Sequence, residues 1–283
     1  DVGGAVLITG ALMLGVYTIV KPAADYGWGA GRTLALGAVA VALLVAFVAR
    51  EATARNPLMP LRIFRSRNVS GANAVQALSV AGMFGTFFLG SLYMERVLGY
   101  TPLEIGLAFL PTTVVMGTIS LRFSETLVTR FGPKATLIAG LVPIAAAQLL
   151  FSRAPVDGSY VVDIVPMSVL LGLGAGMAFP ALMNLGMSGA TPQDAGLASG
   201  LVNTTVQVGG ALGLAVLATL SATRTDSLVS SGHSTAVALT GGYHLAFLIG
   251  FALVVAAIVV AFAVLRSPAH DEAPALQPAY DAA

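Results

Sequence analysis

REATARNPLMPLRIFRSRN, residues 50–68, decides the fold assignment, because it separates two long apolar parts of the chain. It carries five arginines in a chain that has 14 Lys and Arg residues in total. Short loops rich in Lys and Arg between membrane spans stay in the cytoplasm. We therefore predict that this loop is cytoplasmic and that it sets the direction of every neighbouring helix. Pro57 and Pro60 disfavour a continuous helix through it.

The apolar residues of this loop leave two interpretations open. Leu58, Leu61, Ile63 and Phe64 fit a short amphipathic segment at the level of the lipid headgroups, with the arginines facing water and phosphate. The alternative is a loop that only sets the topology.

The composition identifies an integral membrane protein. The chain has 283 residues, of which 57% are hydrophobic and 10% are charged, and its mean hydropathy is +0.87. Soluble domains carry about 25% charged residues. The apolar runs are longer than the strands of a membrane β-barrel and do not alternate with polar residues. A net charge of +1 gives no reason to expect a nucleic-acid partner, and with no cysteine there is no disulfide framework.

The apolar runs predict an all-α membrane protein with eight transmembrane helices. Because successive spans cross the membrane in alternating directions, a cytoplasmic arginine loop predicts that the C-terminus is also in the cytoplasm. Asp1 opens almost directly into a span, so we expect a fragment that lacks a natural N-terminal part. The predicted spans are residues 2–20, 33–49, 69–94, 103–121, 135–151, 160–183, 196–220 and 243–265.

These spans predict four parts of the chain. Residues 1–49 form a two-helix hairpin, and residues 50–68 form the cytoplasmic loop. Residues 69–265 form a six-helix bundle. Residues 266–283 form a polar, Pro- and Ala-rich tail that we expect to be disordered in the cytoplasm.

Charged side chains avoid the middle of every predicted span. Ionisable residues inside a membrane mark ion and proton pathways, so a main proton-carrying carboxylate is not expected in this chain. Glu95, Glu104 and Asp163 lie near the outer ends of spans, and we interpret them as possible outer-side charges that reach water.

Uncharged amides do occur within the spans. Asn73 and Gln76 share one face of the third span, and Asn203 and Gln207 share one face of the seventh. Each amide must be satisfied either by another helix or by water in a cavity, and the sequence leaves both open. Gln148, on the fifth span, we interpret as an interhelical contact.

Glycine spacing predicts close helix packing. G-x-x-x-G occurs at Gly196–Gly200 and Gly209–Gly213 in the seventh span, and at Gly172–Gly176 in the sixth. No strand precedes the GLGAG sequence, so it is not a dinucleotide fingerprint. We expect no cofactor and no metal. A membrane-embedded enzyme has little support, because the three histidines are scattered.

Several stretches resemble the fourteen-helix drug:proton antiporter branch of the major facilitator superfamily. The arginine loop is similar to the "E…PL…L…F" connector of that branch. The stretch LVTRFGPK resembles the second-half copy of the superfamily's inter-helix motif, and residues 195–216 resemble its penultimate helix. YMERVLGYTPLEIGLAFLP, residues 93–111, is similar to its "Y-L-Q-x-V-x-G-x-S-P" turn, with Glu95 where the family usually has Gln.

The resemblance implies the last eight of fourteen helices, with the first six missing. By analogy the third, fourth, sixth and seventh spans line a central cavity, and the fifth and eighth face lipid. That puts four amides on cavity helices as candidate substrate residues: Asn73, Gln76, Asn203 and Gln207. The cytoplasmic inter-helix motif is carried by Arg130, Gly132 and Lys134, whereas Glu125 and Thr129 replace the Gly and Asp of a full copy.

The implied function is export of amphiphilic or cationic small molecules, coupled to protons and working by alternating access in the plasma membrane. The expected partners are these substrates, protons, the lipid bilayer and the missing N-terminal half of the same transporter. The alternative is a non-transporting membrane scaffold or sensor derived from a transporter.

Overall fold

Eight helices that are long and apolar enough to cross a membrane dominate the computed structural model, which describes residues 1–54, 57–58, 61–188 and 195–266. No strand occurs within these ranges. The predicted all-α class and the eight spans are therefore confirmed. The helices are α1 Val2–Val20, α2 Gly31–Thr53, α3 Arg67–Arg96, α4 Pro102–Phe131, α5 Pro133–Phe151, α6 Tyr160–Met187, α7 Ala195–Ser230 and α8 Thr235–Val264.

Helix formation follows from the apolar surroundings, because a backbone in lipid must satisfy its polar groups internally. Polar side chains mark several helix starts. Ser66 accepts a hydrogen bond from the Val69 N–H at the start of α3, and Thr101 and Glu104 form a capping box at the start of α4. Gly132, with φ of 83°, forms the whole junction between α4 and α5.

Three helices extend well beyond the spans that hydropathy predicts. We expected a loop over residues 122–134, but α4 continues through a π-helical segment, Ile119–Phe123, to Phe131. Likewise α7 continues to Ser230 and α8 begins at Thr235, which leaves a short turn where we expected a loop over residues 221–241. Hydropathy marks where the apolar stretch ends, and a helix can continue past that point into water.

Part of the predicted connections lies outside the described residues. This applies to residues 55, 56, 59 and 60 of the arginine loop, to residues 189–194, and to residues 267–283 of the tail that we expect to be disordered. Within the loop, Leu61–Arg65 forms a 3-10 turn. Ile63 is buried in one cluster with Val69 of α3 and Ala198 of α7, so this part of the loop packs on the bundle, whereas Phe64 is exposed.

The bundle is organised around α3, which packs against α6, α7 and α8. Helix α5 lies between α6 and α8, and α4 packs mainly on α6. We call the end that carries the Leu61–Arg65 turn the loop end, and the opposite end the far end. Helices α5 and α8 both present exposed apolar side chains, among them Val142 and Val259, alongside their buried faces.

The hairpin of α1 and α2 is tied together at the loop end. Asp1 accepts a hydrogen bond from the Gly4 N–H and pairs with Arg50 of α2, with an Nη2–Oδ1 distance of 2.7 Å. Helix α1 then packs on α7, which joins the hairpin to the bundle.

Glycines bring helix backbones together at several places. A Cβ atom added at Gly209 would lie 3.1 Å from the Ala77 Cα, and one added at Gly213 would lie 2.8 Å from the Ala81 carbonyl oxygen, so α7 approaches α3 closely. Gly174 of α6 similarly faces the backbone of α5 at Ile144. Gly196 and Gly200 have open space around them, so our expectation of close packing at that pair was wrong.

The two glycine pairs of α7 give a matched test. Gly213→Ala should lower the stability of the full-length protein by about 1–3 kcal/mol, because the added methyl group meets the α3 backbone. Gly200→Ala meets nothing within 4 Å and should be neutral or slightly stabilising. Heating in detergent followed by size-exclusion chromatography measures both. Equal melting temperatures for the two variants would contradict the α3–α7 contact.

Candidate functional site

A crevice runs along the seam between α1 and α7. It consists of two cavities of about 530 and 550 Å³, which share Leu12 of α1 and Val208 of α7. The first reaches Phe47 of α2 and Leu58 at the loop end. The second continues to Lys21 at the far end. The walls are mainly apolar, and the residues that bring polar side-chain groups to them are Tyr17, Lys21, Thr204, Thr205 and Gln207.

Two of the predicted site residues lie at this crevice or beside it. Gln207 is exposed and lines the second cavity. Asn203, one turn earlier, is also exposed, and its Nδ2 donates to the Ser199 carbonyl oxygen at 3.0 Å. Both amides therefore lie on the side of α7 that faces away from α3.

The other two predicted residues lie inside the bundle. Asn73 is buried, and its Oδ1 accepts a hydrogen bond from Thr205 Oγ1 at 2.8 Å while its Nδ2 donates to the Val69 carbonyl oxygen at 2.8 Å. It therefore joins α3 to α7 directly behind the cavity wall, because Thr205 also lines the first cavity. Gln76 is buried one turn further along α3. The four amides thus do not share one surface, and a role for them in a substrate cavity stays a prediction.

Gln148 of α5 lies where three helices meet. Its side chain is 0% exposed and fills the space beside Gly82 of α3 and Gly250 of α8. Within the described part of the chain neither amide atom has a hydrogen-bond partner. Burying such a group without a partner costs about 1–3 kcal/mol. The residue therefore contacts its neighbours by packing alone.

Polar groups from four helices meet at the loop end. Lys134 Nζ, at the start of α5, donates to the carbonyl oxygens of Phe262 at 2.9 Å and Leu265 at 2.7 Å. Asn68 of α3 accepts a hydrogen bond from the Arg266 N–H at 2.9 Å and donates to Ser188 Oγ at 3.1 Å. We call these contacts the loop-end clamp. A cation at a helix C-terminus stabilises the carbonyl groups that lack partners in the helix.

The three residues of the inter-helix motif have different surroundings. Lys134 binds the end of α8, and Gly132 forms the turn between α4 and α5. Arg130 is exposed, with its guanidinium carbon 5.5 Å from the centre of the Phe131 ring. That these three residues carry the cytoplasmic inter-helix motif stays a prediction.

The far-end carboxylates take part in local contacts. Glu104 Oε2 accepts from the Thr101 N–H at 2.7 Å, and Asp163 Oδ2 accepts from the Ser159 N–H at 2.7 Å. Glu95 is exposed at the end of α3.

Sequence reasoning did not find the crevice wall that the hairpin contributes. Ile8, Leu12 and Phe47 are ordinary apolar residues within spans, and nothing in their pattern shows which neighbour they face. A signal did exist for Thr205, because it directly follows the polar pair Asn203 and Thr204 in a span.

The family model described as Major Facilitator Superfamily matches residues 2–214. The chain belongs to the major facilitator superfamily. The crevice is thus a feature of a membrane protein from this superfamily, and the resemblance that the sequence motifs carried is confirmed at this level.

Among curated members of the superfamily, the chain is 32% identical over 280 residues to the puromycin resistance protein pur8 of Streptomyces alboniger, covering 96% of this chain and 55% of that protein. It is 34% identical over 275 residues to the cephamycin export protein CmcT of Amycolatopsis lactamdurans, covering 97% and 55%. It is 36% identical over 224 residues to the tetracenomycin C resistance and export protein of Streptomyces glaucescens, covering 79% and 41%. The chain spans about half the length of these relatives.

The loop-end clamp can be tested with a matched pair of variants. Lys134→Met removes both hydrogen bonds to the end of α8, so it should lower the stability of the full-length protein by about 1–3 kcal/mol. Arg130→Met removes a nearby exposed charge that lies over the ring of its neighbour Phe131, so it should have little effect. Thermal unfolding in detergent compares the two. Loss of stability in Arg130→Met alone would contradict the clamp.

Proposed function

We propose that the chain forms part of a proton-coupled exporter of amphiphilic or cationic small molecules in the plasma membrane. The observation that carries this proposal is the α1–α7 crevice, which combines long apolar walls with amide and hydroxyl groups along one side. Relatives that cover almost the whole chain are named for puromycin resistance and for cephamycin export, which supports export of small molecules.

The crevice suits amphiphilic molecules. Cavities of about 300–1,000 Å³ with apolar walls and a few polar groups are typical of small-molecule sites, and the two cavities here, at about 530 and 550 Å³, lie within that range. Leu12, Phe47 and Val208 supply apolar contacts, and Gln207 and Thr204 supply hydrogen bonds. An amphiphile places its apolar body along the seam and its polar group against α7.

The crevice itself does not supply the coupling acid. No Asp or Glu lines either cavity within the described residues. We therefore place the proton-carrying carboxylate in the part of the relatives' length that this chain does not span. That carboxylate then balances the charge of a cationic substrate bound between this chain and the other part of the transporter.

The arginine-rich loop predicts that the loop end lies on the cytoplasmic side and the far end outside, and the transporter works by alternating access. The two halves of the transporter then open the crevice to each side in turn.

Export by the full-length protein tests this proposal. Cells that express it should export fluorescent cations while a proton gradient is present and stop when the gradient is removed. Asn203→Ala and Gln207→Ala should change the relative export of different compounds severalfold, with an unchanged amount of folded protein. Thr223→Ala is the control, because Thr223 is exposed on the same helix outside the crevice.

Three results would contradict the proposal. Export that continues at the same rate after the proton gradient is removed would contradict proton coupling. Equal losses for every compound, together with less folded protein, would assign the two amides a structural role. Well-folded full-length protein that exports nothing would favour the non-transporting scaffold or sensor.

A further inference from the structure

A second cavity of different character lies at the far end, between the end of α3, the end of α7 and the start of α8. Its volume is about 300 Å³. We call it the far-end cavity. It is separate from the α1–α7 crevice, and its lining shares no residue with the lining of either crevice cavity.

Two opposite charges line this cavity without pairing. Arg96 comes from α3 and Asp226 from α7. Across the described ranges, neither side chain has an ion pair or a hydrogen bond with another residue. A cavity that presents both signs of charge is complementary to a molecule that carries both, because each ligand charge meets its opposite.

Buried polar groups line the same cavity. Tyr243 is 3% exposed, and its hydroxyl has no hydrogen-bond partner among the described residues. Its ring packs edge-on against Tyr93, with 6.5 Å between the ring centres. Ser221, which is also buried, lines the cavity beside it. Buried polar groups in proteins are nearly always hydrogen-bonded, and this hydroxyl, which lies in the cavity wall, is available to a molecule bound there.

The wall on α3 changes from charged to apolar along the helix. Arg96, Leu92 and Phe88 are spaced by four residues, so they lie on one face of α3. Phe88 is 47% exposed at the side of the cavity nearer the middle of the helix. A bound molecule therefore meets charges at the far end and apolar surface toward the membrane interior.

We propose that the far-end cavity binds the headgroup of a zwitterionic amphiphile. Its primary ammonium group faces Asp226, its phosphate or carboxylate binds Arg96, and its apolar tail leaves past Leu92 and Phe88. The volume of about 300 Å³ fits a headgroup. A simple anion would meet Asp226 and a simple cation would meet Arg96, so each is a poorer match than a zwitterion. This site requires binding only and does not depend on transport.

Binding of lysophospholipids to the full-length protein in detergent tests the proposal. The probes are lysophosphatidylethanolamine, lysophosphatidylglycerol and lysophosphatidylcholine with the same acyl chain. The ethanolamine form should bind at least about tenfold more tightly than the glycerol form, which lacks the ammonium group. It should also bind more tightly than the choline form, whose trimethylammonium group has no N–H to donate to Asp226.

Variants assign the preference to the cavity. Asp226→Asn should abolish the preference for ethanolamine, and Arg96→Gln should weaken binding of all three probes. Ala222→Trp fills the cavity without changing a charge and should abolish binding. Arg224→Gln and Asp157→Asn remove exposed far-end charges that do not line the cavity, so both should bind like the unchanged protein.

The outcome is decisive in either direction. Equal binding of the three headgroups, or an ethanolamine preference that survives in folded Asp226→Asn and Ala222→Trp, would overturn the proposal. Nanodiscs then separate two sources of the ligand. Competition by diacyl phosphatidylethanolamine assigns the site to membrane lipid, and lack of competition assigns it to an amphiphile that arrives from water. Both results support a zwitterion site.

Discussion

The close approach of α7 to α3 is the contact on which the rest of the structure depends. Gly209 and Gly213 remove the side chains that would hold the two helices apart, and the hydrogen bond from Thr205 to Asn73 joins them nearer the loop end. Lipid gives little hydrophobic driving force between helices, so such close packing and interhelical hydrogen bonds carry the association. Together they fix the rotation of α7, and that rotation turns Asn203 and Gln207 away from α3.

The two ends of the bundle are built differently around this contact. At the loop end, Asn68 and Lys134 satisfy main-chain groups at the end of α8 directly, so the helices are tied by short hydrogen bonds. At the far end, Arg96 and Asp226 face a cavity without meeting each other. At the loop end the polar groups bind one another within the chain. At the far end Arg96 and Asp226 have no such partners in the described residues and can bind a ligand. This difference agrees with the position of the proposed zwitterion site at the far end.

The sequence predicted the number of helices because membrane thickness requires long apolar runs. It could not predict where α4 and α7 end, since helices continue through polar residues once they leave the apolar layer. The sequence also could not show that residues of the same type have different surroundings. Asn73 and Asn203 are both amides within spans, but Asn73 meets Thr205 whereas Asn203 is exposed. The Gly196–Gly200 pair has the spacing of Gly209–Gly213 and no close neighbour. These differences depend on the rotation of each helix and on the position of the hairpin. The pattern of apolar residues in the sequence shows neither of these.

A cysteine scan along α7 in the full-length protein tests the central claim most directly, which is that one face of this helix is open while the opposite face packs on the bundle. This chain contains no cysteine of its own. Cysteine at the exposed positions Asn203, Gln207 and Ala211 should react with a water-soluble maleimide, and cysteine at the buried positions Ala198 and Val202 should not. Equal reactivity at all five positions, or reaction at the buried positions alone, would contradict the account.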